Sequence, residues 1–230
     1  MKTKIIATIG PASRNKISQL CKAGMYIGRI NTKYGKDKQY DEIISSLRKT
    51  KCKIMFDIKG REMISWLKRK DFDYIAVSFA QTAKQIKEIR KEFSPRRVRI
   101  ISKIENRNGF NNLAELIRES DGIMVARGDL GRHVPFEEVP ILQKLIIRRC
   151  NKKDTMVITA TEMLLSMVKS KIPERAEVSD VANAILDGSD GVMLSEETTI
   201  GKYPVLAVKT MAKVILCTEK NMKRLSVCDR

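Results

Sequence analysis

Short apolar runs rich in β-branched residues recur along the chain, and each is followed by a stretch with helical spacing. Runs of this length bounded by polar turns are typical of buried strands. In SDVANAILDG (179–188), which lies between two such runs, Val181, Ala184 and Ile185 share one helix face and Gly188 marks the end. The pattern predicts eight strands: KIIATI (4–9), YIGRIN (26–31), KIMFDI (53–58), YIAVSF (74–79), RIISKI (99–104), GIMVAR (122–127), MVITAT (156–161) and GVMLSE (191–196).

Strand and helix patterns alternate throughout, without a composition break or a low-complexity linker. Alternation indicates parallel strands joined by crossover helices. Eight such units in 230 residues predict a closed (β/α)8 TIM barrel, a single α/β domain. A doubly wound open sheet is the alternative. We assign residues 1–218 to the barrel and residues 219–230 to a C-terminal tail.

Composition argues against a membrane protein. Hydrophobic residues make up 43% of the chain, which is enough for a core, but no run of about 18 apolar residues occurs. The cysteines are odd in number and show no CxxC spacing, which predicts reduced thiols in a cytoplasmic protein. These cysteines are Cys21, Cys52, Cys150, Cys217 and Cys228.

The formal net charge is +18, and basic segments such as LRKTKCK, SWLKRK and IIRRCNKK carry much of it. The pattern assigns these segments to separate helices, and only 5% of residues are aromatic, which argues against a nucleic-acid surface. A basic field would still attract anionic substrates such as phosphates.

Every predicted strand ends in polar chemistry. In a TIM barrel the carboxyl ends of the strands form one mouth, where the active site lies. The residues that this rule brings to the mouth are Thr8, Arg29, Asn31, Lys33, Asp57, Lys59, Ser78, Lys103, Glu105, Arg127, Asp129, Thr161, Glu162, Ser195, Glu196 and Glu197.

Two carboxylates among them, Glu105 and Asp129, end neighbouring strands and could share one divalent cation. With no histidine or cysteine beside them, these hard oxygen ligands suit Mg²⁺ or Mn²⁺. Lys103 would lie next to that metal, where it could stabilise negative charge that develops on a substrate oxygen.

Anion-binding groups surround this pair. The turn ARGDLG contains Gly128 and Gly131, and its backbone N–H groups could bind a carboxylate or phosphate. Arg29 and Lys59 add positive charge for a phosphoryl group. The residues alone therefore predict a metal-assisted anion site.

Six motifs in order resemble the signatures of the pyruvate kinase family. They are TIGPAS (8–13), DIKGRE (57–62), ISKIENRNG (101–109), GIMVARGDLG (122–131), RAEVSDVANAILDGSDGVMLSEET (175–198) and GKYP (201–204). The resemblance implies a (β/α)8 barrel that moves a phosphoryl group from phosphoenolpyruvate to ADP, giving pyruvate and ATP. It also implies Mg²⁺ (or Mn²⁺) and, in most members, K⁺.

The resemblance also implies roles for residues at the mouth. Lys103 would stabilise the enolate oxygen and the bridging phosphoryl group. Glu105 and Asp129 would bind Mg²⁺, and the backbone of Gly128 and Asp129, together with Thr161, would hold the substrate carboxylate.

Five further residues match the family's motifs. Arg29 would contact the phosphoryl group. Asn31 and Asp57 match two ligands of the monovalent cation. Ser195 and Glu197 match the group that is linked to protonation of the enolate.

The departures from the family pattern affect the nucleotide and the monovalent cation. The lid domain that the family inserts after the third strand is absent, and we expect its C-terminal regulatory domain to be absent too. Lys33 replaces a serine cation ligand, so its ammonium group could fill the cation site and make K⁺ unnecessary. Tyr34 replaces a nucleotide-contacting histidine, and Ile64 replaces a phosphate-contacting arginine.

Three function classes follow. The first is a minimal pyruvate kinase. The second is another Mg²⁺-dependent enzyme on pyruvate enolate, of the oxaloacetate decarboxylase or aldolase type, which needs no nucleotide lid. The third is a non-catalytic barrel that binds small anions or a protein. Surface left open by the missing domains makes a homodimer possible.

Overall fold

The computed structural model describes residues 1–225, and its eight parallel strands close into one barrel in the order β1 to β8. Closure is made by β1 and β8, which pair from Lys4 opposite Gly191 to Ala7 opposite Leu194. The TIM barrel is therefore confirmed, and the open sheet is wrong. The strands are β1 Lys4–Thr8, β2 Met25–Asn31, β3 Lys53–Ile58, β4 Tyr74–Val77, β5 Arg99–Ile104, β6 Gly122–Ala126, β7 Met156–Ala160 and β8 Gly191–Leu194.

Helices follow every strand. They are α1 Ile17–Ala23, α2 Asp37–Arg48, α3 Ile64–Leu67, α4 Ala83–Glu92, α5 Arg107–Asn111, α6 Leu113–Glu119, α7 Arg127–His133, α8 Val139–Asn151, α9 Arg175–Leu186, α10 Glu196–Thr199 and α11 Pro204–Leu225. Helix α11 continues across the predicted boundary at residue 218, and residues 226–230 of the predicted tail lie outside the described part of the chain. Among residues 1–225, no helix has the length and apolar character needed to cross a bilayer.

The strands are apolar on both faces because each face packs against a different layer. Alternate side chains of a strand point to opposite sides. One set from all eight strands fills the barrel interior: Ile6, Ile27, Met55, Tyr74, Ala76, Ile101, Met124, Ile158, Ala160 and Met193. The other set, which includes Ile54 and Phe56, packs outward against the helices in the larger core cluster.

A short connection with a single helical turn, α3, joins β3 to β4. Trp66 on α3 packs edge-on against Tyr40 and Phe56, with ring centroids 5.8 Å apart in both pairs. Outside this contact, Lys68 Nζ lies 2.7 Å from Glu92 Oε2 on α4. This ion pair is exposed and adds little stability. The aromatic contact therefore packs the connection against α2 and β3.

The expectation that all cysteines are reduced is wrong for one pair. Cys21 on α1 and Cys52, just before β3, form a disulfide with Cα atoms 6.4 Å apart. These two positions are 31 residues apart in sequence, so spacing alone gave no sign of the pairing. Cys150 is a buried free thiol and Cys217 an exposed one, while Cys228 lies outside the described residues.

Phe56 gives a test of this packing. It is fully buried and contacts the rings of Tyr40, Trp66 and Phe72 at centroid distances of 5.4–6.4 Å. We expect Phe56→Ala to lower the free energy of unfolding by about 3–5 kcal/mol, because the cavity cannot collapse fully between strand and helices. Phe136→Ala, the same change at a side chain that is 83% exposed, should alter it by about 0.5 kcal/mol or less. If urea unfolding gave the same decrease in the free energy of unfolding for both variants, the packing described for Phe56 would be contradicted.

Candidate active site

Four buried charged side chains form an alternating row at the mouth. Arg29 Nη2 lies 2.7 Å from Asp57 Oδ2. Lys103 Nζ lies 3.1 Å from the same Asp57 oxygen and 2.8 Å from Glu105 Oε1. All four residues are buried, and the most exposed of them, Arg29, is 7% exposed. The row therefore balances two positive and two negative charges away from water.

The row arises from the period of two along each strand. Asp57 and Lys103 each follow an interior apolar residue, Met55 and Ile101, by two positions, and Arg29 follows its interior neighbour Ile27 in the same way. Side chains two apart point to the same face. The polar residues are thus the topmost layer of the barrel interior.

Hydroxyl and backbone groups complete the hydrogen bonding of this row. Arg29 Nη1 donates to Thr8 Oγ1 at 2.7 Å. Lys103 Nζ donates to Ser78 Oγ at 3.0 Å, and the backbone N–H of Phe79 donates to Glu105 Oε2 at 2.5 Å. Thr8 and Ser78 were placed at strand ends from sequence, but no role was predicted for them. Their signal was again the period of two.

The two carboxylates of the row differ in acidity. Burial raises the pKa of Asp57, but the charges of Lys103 and Arg29 outweigh burial and hold that pKa below its usual value. Burial raises the pKa of Glu105 above its usual value, and the charge of Lys103 offsets only part of that effect. Asp57 is therefore the fixed anion of the row, and Glu105 is the more readily protonated one.

Thr161 and Gly128 meet on the side of the mouth formed by β6 and β7. The Gly128 N–H donates to Thr161 Oγ1 at 2.8 Å. Thr161 and Glu162 have φ angles of 72° and 52°, in the left-handed region that residues other than glycine rarely adopt. This conformation turns the chain sharply at the end of β7.

Arg127 holds that turn, although its position at a strand end predicted no role for it. Its Nη2 donates to the carbonyl oxygens of Thr161 at 2.6 Å and Glu162 at 2.9 Å. Its Nη1 donates to Asp180 Oδ2 on α9 at 2.6 Å. The guanidinium group thus ties α9 to the two residues with positive φ. A sequence signal was present, since Arg127 stands at the end of the sixth run.

Asp129 lies in the first turn of α7 and is more open than Glu105. Its Oδ1 lies 3.2 Å from Arg132 Nη1, one turn further along the helix. No group of three or more histidine, cysteine or acidic residues in residues 1–225 is arranged to hold a metal. Mg²⁺ is usually held by one or two carboxylates, with substrate and water completing its shell, so Glu105 and Asp129 supply oxygen ligands of the type that this ion prefers.

Ser195 and Glu197 lie at the end of β8, next to β7, and α10 begins at Glu196. Glu197 is fully buried, and its carboxylate accepts hydrogen bonds from the N–H groups of Leu164 at 3.0 Å and Ser195 at 2.7 Å. Burial raises the pKa of Glu197, and these hydrogen bonds offset only part of the rise. Glu197 therefore joins the end of β8 to the chain after β7.

Lys33 does not stand where the sequence suggested that it could fill a cation site. It is exposed, and its ammonium group lies over the ring of Tyr34, 5.4 Å from the centroid. Asn31 Oδ1 accepts the backbone N–H of Lys33 at 3.1 Å. The cations that contact Asp57 are Arg29 and Lys103, because β2 and β5 aim their interior side chains at it.

Comparison with known proteins places the chain in a family. A family model described as pyruvate kinase, barrel domain, matches residues 1–65 and 55–208. A pyruvate kinase of Geobacillus stearothermophilus is 49% identical over 175 residues, which cover 75% of this chain and 30% of that protein. The chain belongs to the pyruvate kinase family.

Two other relatives agree. A pyruvate kinase of Methanocaldococcus jannaschii is 51% identical over 153 residues, covering 66% of this chain and 34% of that protein. A protein named pyruvate kinase, cytosolic isozyme, from Solanum tuberosum is 44% identical over 163 residues, covering 70% of this chain and 32% of that protein. The matched part thus spans about a third of the length of these pyruvate kinases.

The role of Arg127 in holding the turn after β7 can be tested by substitution. Lysine at position 127 keeps one charge but cannot reach Asp180 and both carbonyl groups, and a lost hydrogen bond to a charged group costs about 1.5–3 kcal/mol. We expect Arg127→Lys to speed amide hydrogen exchange in residues 161–168 about tenfold or more. Arg118→Lys, at an exposed arginine paired with Glu119, is the control. Equal exchange in the two variants would show that Arg127 does not hold the turn.

Glu197 predicts a pH dependence. Because burial raises its pKa, the folded state binds this proton more tightly than the unfolded state, whose value is near 4.5. The stabilisation is fully present below that pH and is lost as pH rises through the higher folded-state pKa. In urea unfolding, the free energy of unfolding of the wild type should decline toward neutral pH, and Glu197→Gln should remove part of that decline. The exposed neighbour supplies a control, Glu196→Gln. Identical pH profiles for wild type and Glu197→Gln would refute the assignment.

Proposed function

We propose that this chain transfers a phosphoryl group from phosphoenolpyruvate to ADP, giving pyruvate and ATP. The observation that carries the proposal is the buried row Arg29–Asp57–Lys103–Glu105 at the mouth of a barrel from this family. A row of this kind offers cations, fixed in place and shielded from water, to an anionic substrate. Such preorganised charge is the main means by which phosphoryl transfer is catalysed.

The chemistry assigns each cation a task. Transfer of the phosphoryl group leaves negative charge on the enolate oxygen of pyruvate, and Lys103 would stabilise it. Arg29 would bind the phosphoryl oxygens through its planar guanidinium group. Thr161 and the Gly128 N–H would bind the substrate carboxylate. The 2.8 Å hydrogen bond between these two groups supports that pairing, because it keeps both at one point of the mouth.

Glu105 and Asp129 would hold Mg²⁺ or Mn²⁺. Once bound, the ion would supply positive charge beside the phosphoryl and enolate oxygens. Glu105 forms an ion pair with Lys103 at 2.8 Å, so this lysine would be the counterion that shares the carboxylate with the metal. Asp129 is half-exposed, and within residues 1–225 its carboxylate pairs with the surface residue Arg132, so it is the more accessible ligand.

The last step is protonation of the enolate, and we assign it to the group formed by Ser195 and Glu197. Glu197 is fully buried, with its carboxylate on two backbone N–H groups. We therefore give Glu197 the task of fixing the Ser195 backbone, and Ser195 the position facing the substrate.

The short β3–β4 connection affects the nucleotide. A lid would expel water and orient ADP, and orientation alone is worth about 7–11 kcal/mol in favourable cases. We therefore propose that transfer to ADP is weak and that water competes for the phosphoryl group. The same feature favours a second candidate, an oxaloacetate decarboxylase or aldolase type of enzyme, which needs the enolate site but no nucleotide. The intact row argues against a non-catalytic barrel.

Three further parts of the proposal concern potassium, the cellular compartment and the oligomeric state. Potassium is not required, since Lys33 stands in place of a serine that the family uses as a cation ligand, which leaves one ligand fewer for the ion. The reaction takes place in the cytoplasm, by analogy with the cytosolic isozyme of Solanum tuberosum. The chain forms a homodimer, although its net charge of +18 opposes association.

One experiment separates the candidates. A coupled assay with phosphoenolpyruvate and ADP is run beside an assay of oxaloacetate decarboxylation, both with Mg²⁺. Calorimetry then measures Mg²⁺-dependent binding of phosphoenolpyruvate to Asp129→Ala and to Asp41→Ala, a control at an exposed carboxylate. We expect ATP formation, and loss of binding only in Asp129→Ala. Decarboxylation without ATP formation would favour the second candidate, and unchanged binding in Asp129→Ala would refute the metal site.

A further inference from the structure

Three consecutive loops at the end of the barrel opposite the mouth bring basic segments together. These are residues 48–53, 68–73 and 94–99, which lead into β3, β4 and β5. The three strands are neighbours, because Met55 pairs with Tyr74 and Tyr74 pairs with Arg99. Adjacent strands lie about 5 Å apart, so the three loops form one continuous edge. We call these three segments the basic rim.

The basic rim carries a large excess of positive charge. Its three segments contribute four, three and three basic residues: Arg48, Lys49, Lys51, Lys53, Lys68, Arg69, Lys70, Arg96, Arg97 and Arg99. Only two acidic residues lie within them, Asp71 and Asp73. Along the sequence these basic segments belong to separate predicted helices, which argues against a nucleic-acid surface. The fold, however, brings the ends of α2, α3 and α4 to one edge.

Part of this charge is already neutralised. Arg48 pairs with Asp71 at 2.8 Å and with Asp73 at 3.5 Å, and Lys53 pairs with Asp73 at 3.1 Å. Lys70 pairs with Asp41 at 2.6 Å. The acidic residues near the rim therefore have partners, and they cannot neutralise the remaining cations.

Four cations of the rim remain available. The side chains of Lys49, Lys51, Arg69 and Arg97 are exposed and form no ion pair or hydrogen bond within residues 1–225. Arg97 also lines a cleft of about 560 Å³, together with Arg90 and Arg118, where the chain before β5 faces the chain before β6. Each loop of the rim thus offers at least one unpaired cation to a ligand outside the protein.

We propose that the basic rim binds RNA through its phosphate backbone. A row of unpaired cations along an edge matches a polymer that carries one negative charge at each nucleotide. None of the large apolar side chains that are exposed in the described part of the chain lies in the three segments, so insertion into a lipid surface is disfavoured. For the same reason the rim has no exposed aromatic ring for base stacking, and the contact is independent of sequence.

The rim and the mouth lie at opposite ends of the strands. RNA binding therefore does not rest on the proposed reaction, and the two can fail separately. The probe is a fluorescent 20-nucleotide oligouridylate, and its affinity for the whole chain is measured by anisotropy over a range of salt concentrations. The rim variant combines Lys49→Gln, Lys51→Gln, Arg69→Gln and Arg97→Gln.

A control variant removes the same charge elsewhere. It combines Lys84→Gln, Lys202→Gln, Lys209→Gln and Lys213→Gln, at exposed lysines whose side chains form no ion pair within the described residues. Each variant lowers the net charge of +18 by four. We expect the rim variant to bind at least tenfold more weakly at about 0.1 M salt. The slope of log K against log salt should fall by about 3, or about 0.7 for each lost phosphate contact. The control should change affinity less than threefold.

Lysine footprinting on the wild type tests the contact without any substitution. RNA should protect Lys49 and Lys51 from acetylation and leave Lys209 and Lys213 reactive. Equal weakening in both variants would show that net charge alone attracts the probe and would overturn the proposal. So would absence of wild-type binding at about 0.1 M salt, or rim-dependent binding to phosphatidylserine vesicles as tight as binding to RNA.

Discussion

The buried ammonium group of Lys103, between Asp57 and Glu105, is the constraint on which the site depends. A charge removed from water is very costly unless it is paired and hydrogen-bonded, and removing one partner of a buried pair costs about 3–5 kcal/mol. Asp57 in turn needs Arg29, and Glu105 needs the N–H of Phe79. No buried side-chain nitrogen or oxygen atom in residues 1–225 lacks a hydrogen-bond partner. Lys103 thus ties the end of β5 to the end of β3 and to Ser78 after β4, and Arg29 extends the row to β2.

This arrangement links barrel stability to the chemistry that we propose. Below the mouth, apolar side chains such as Met55 and Ile101 fill the barrel interior. The polar row therefore lies on a rigid, closely packed layer. On the β7 side, Arg127 holds two residues in an unfavourable backbone conformation, and Asp180 anchors the arginine. Strain of this kind persists only where surrounding contacts enforce it, and it is common at functional sites. A rigid mouth suits a reaction that depends on fixed charges.

The two ends of the barrel divide its charge differently. In the row at the mouth, Arg29 and Lys103 are buried and matched by Asp57 and Glu105. At the basic rim, Lys49, Lys51, Arg69 and Arg97 are exposed and unmatched within the described residues. Buried, paired charge favours a single ligand in one orientation. Exposed charge attracts any polyanion and is screened by salt. The same composition therefore supports two kinds of binding at opposite ends of one fold.

The sequence by itself determined the barrel and most of the mouth. Both depend on local periods, since alternation of strand and helix patterns defines the fold, and positions two beyond Ile27, Met55 and Ile101 define the polar layer. Tertiary structure alone decided the Cys21–Cys52 disulfide, the placement of Lys33 over Tyr34, the contacts of Arg127 with Asp180, and the continuity of the basic rim. Each of these depends on the distance or orientation between groups from different elements or loops. Closure of the sheet sets those relations, and no local pattern of residues encodes them.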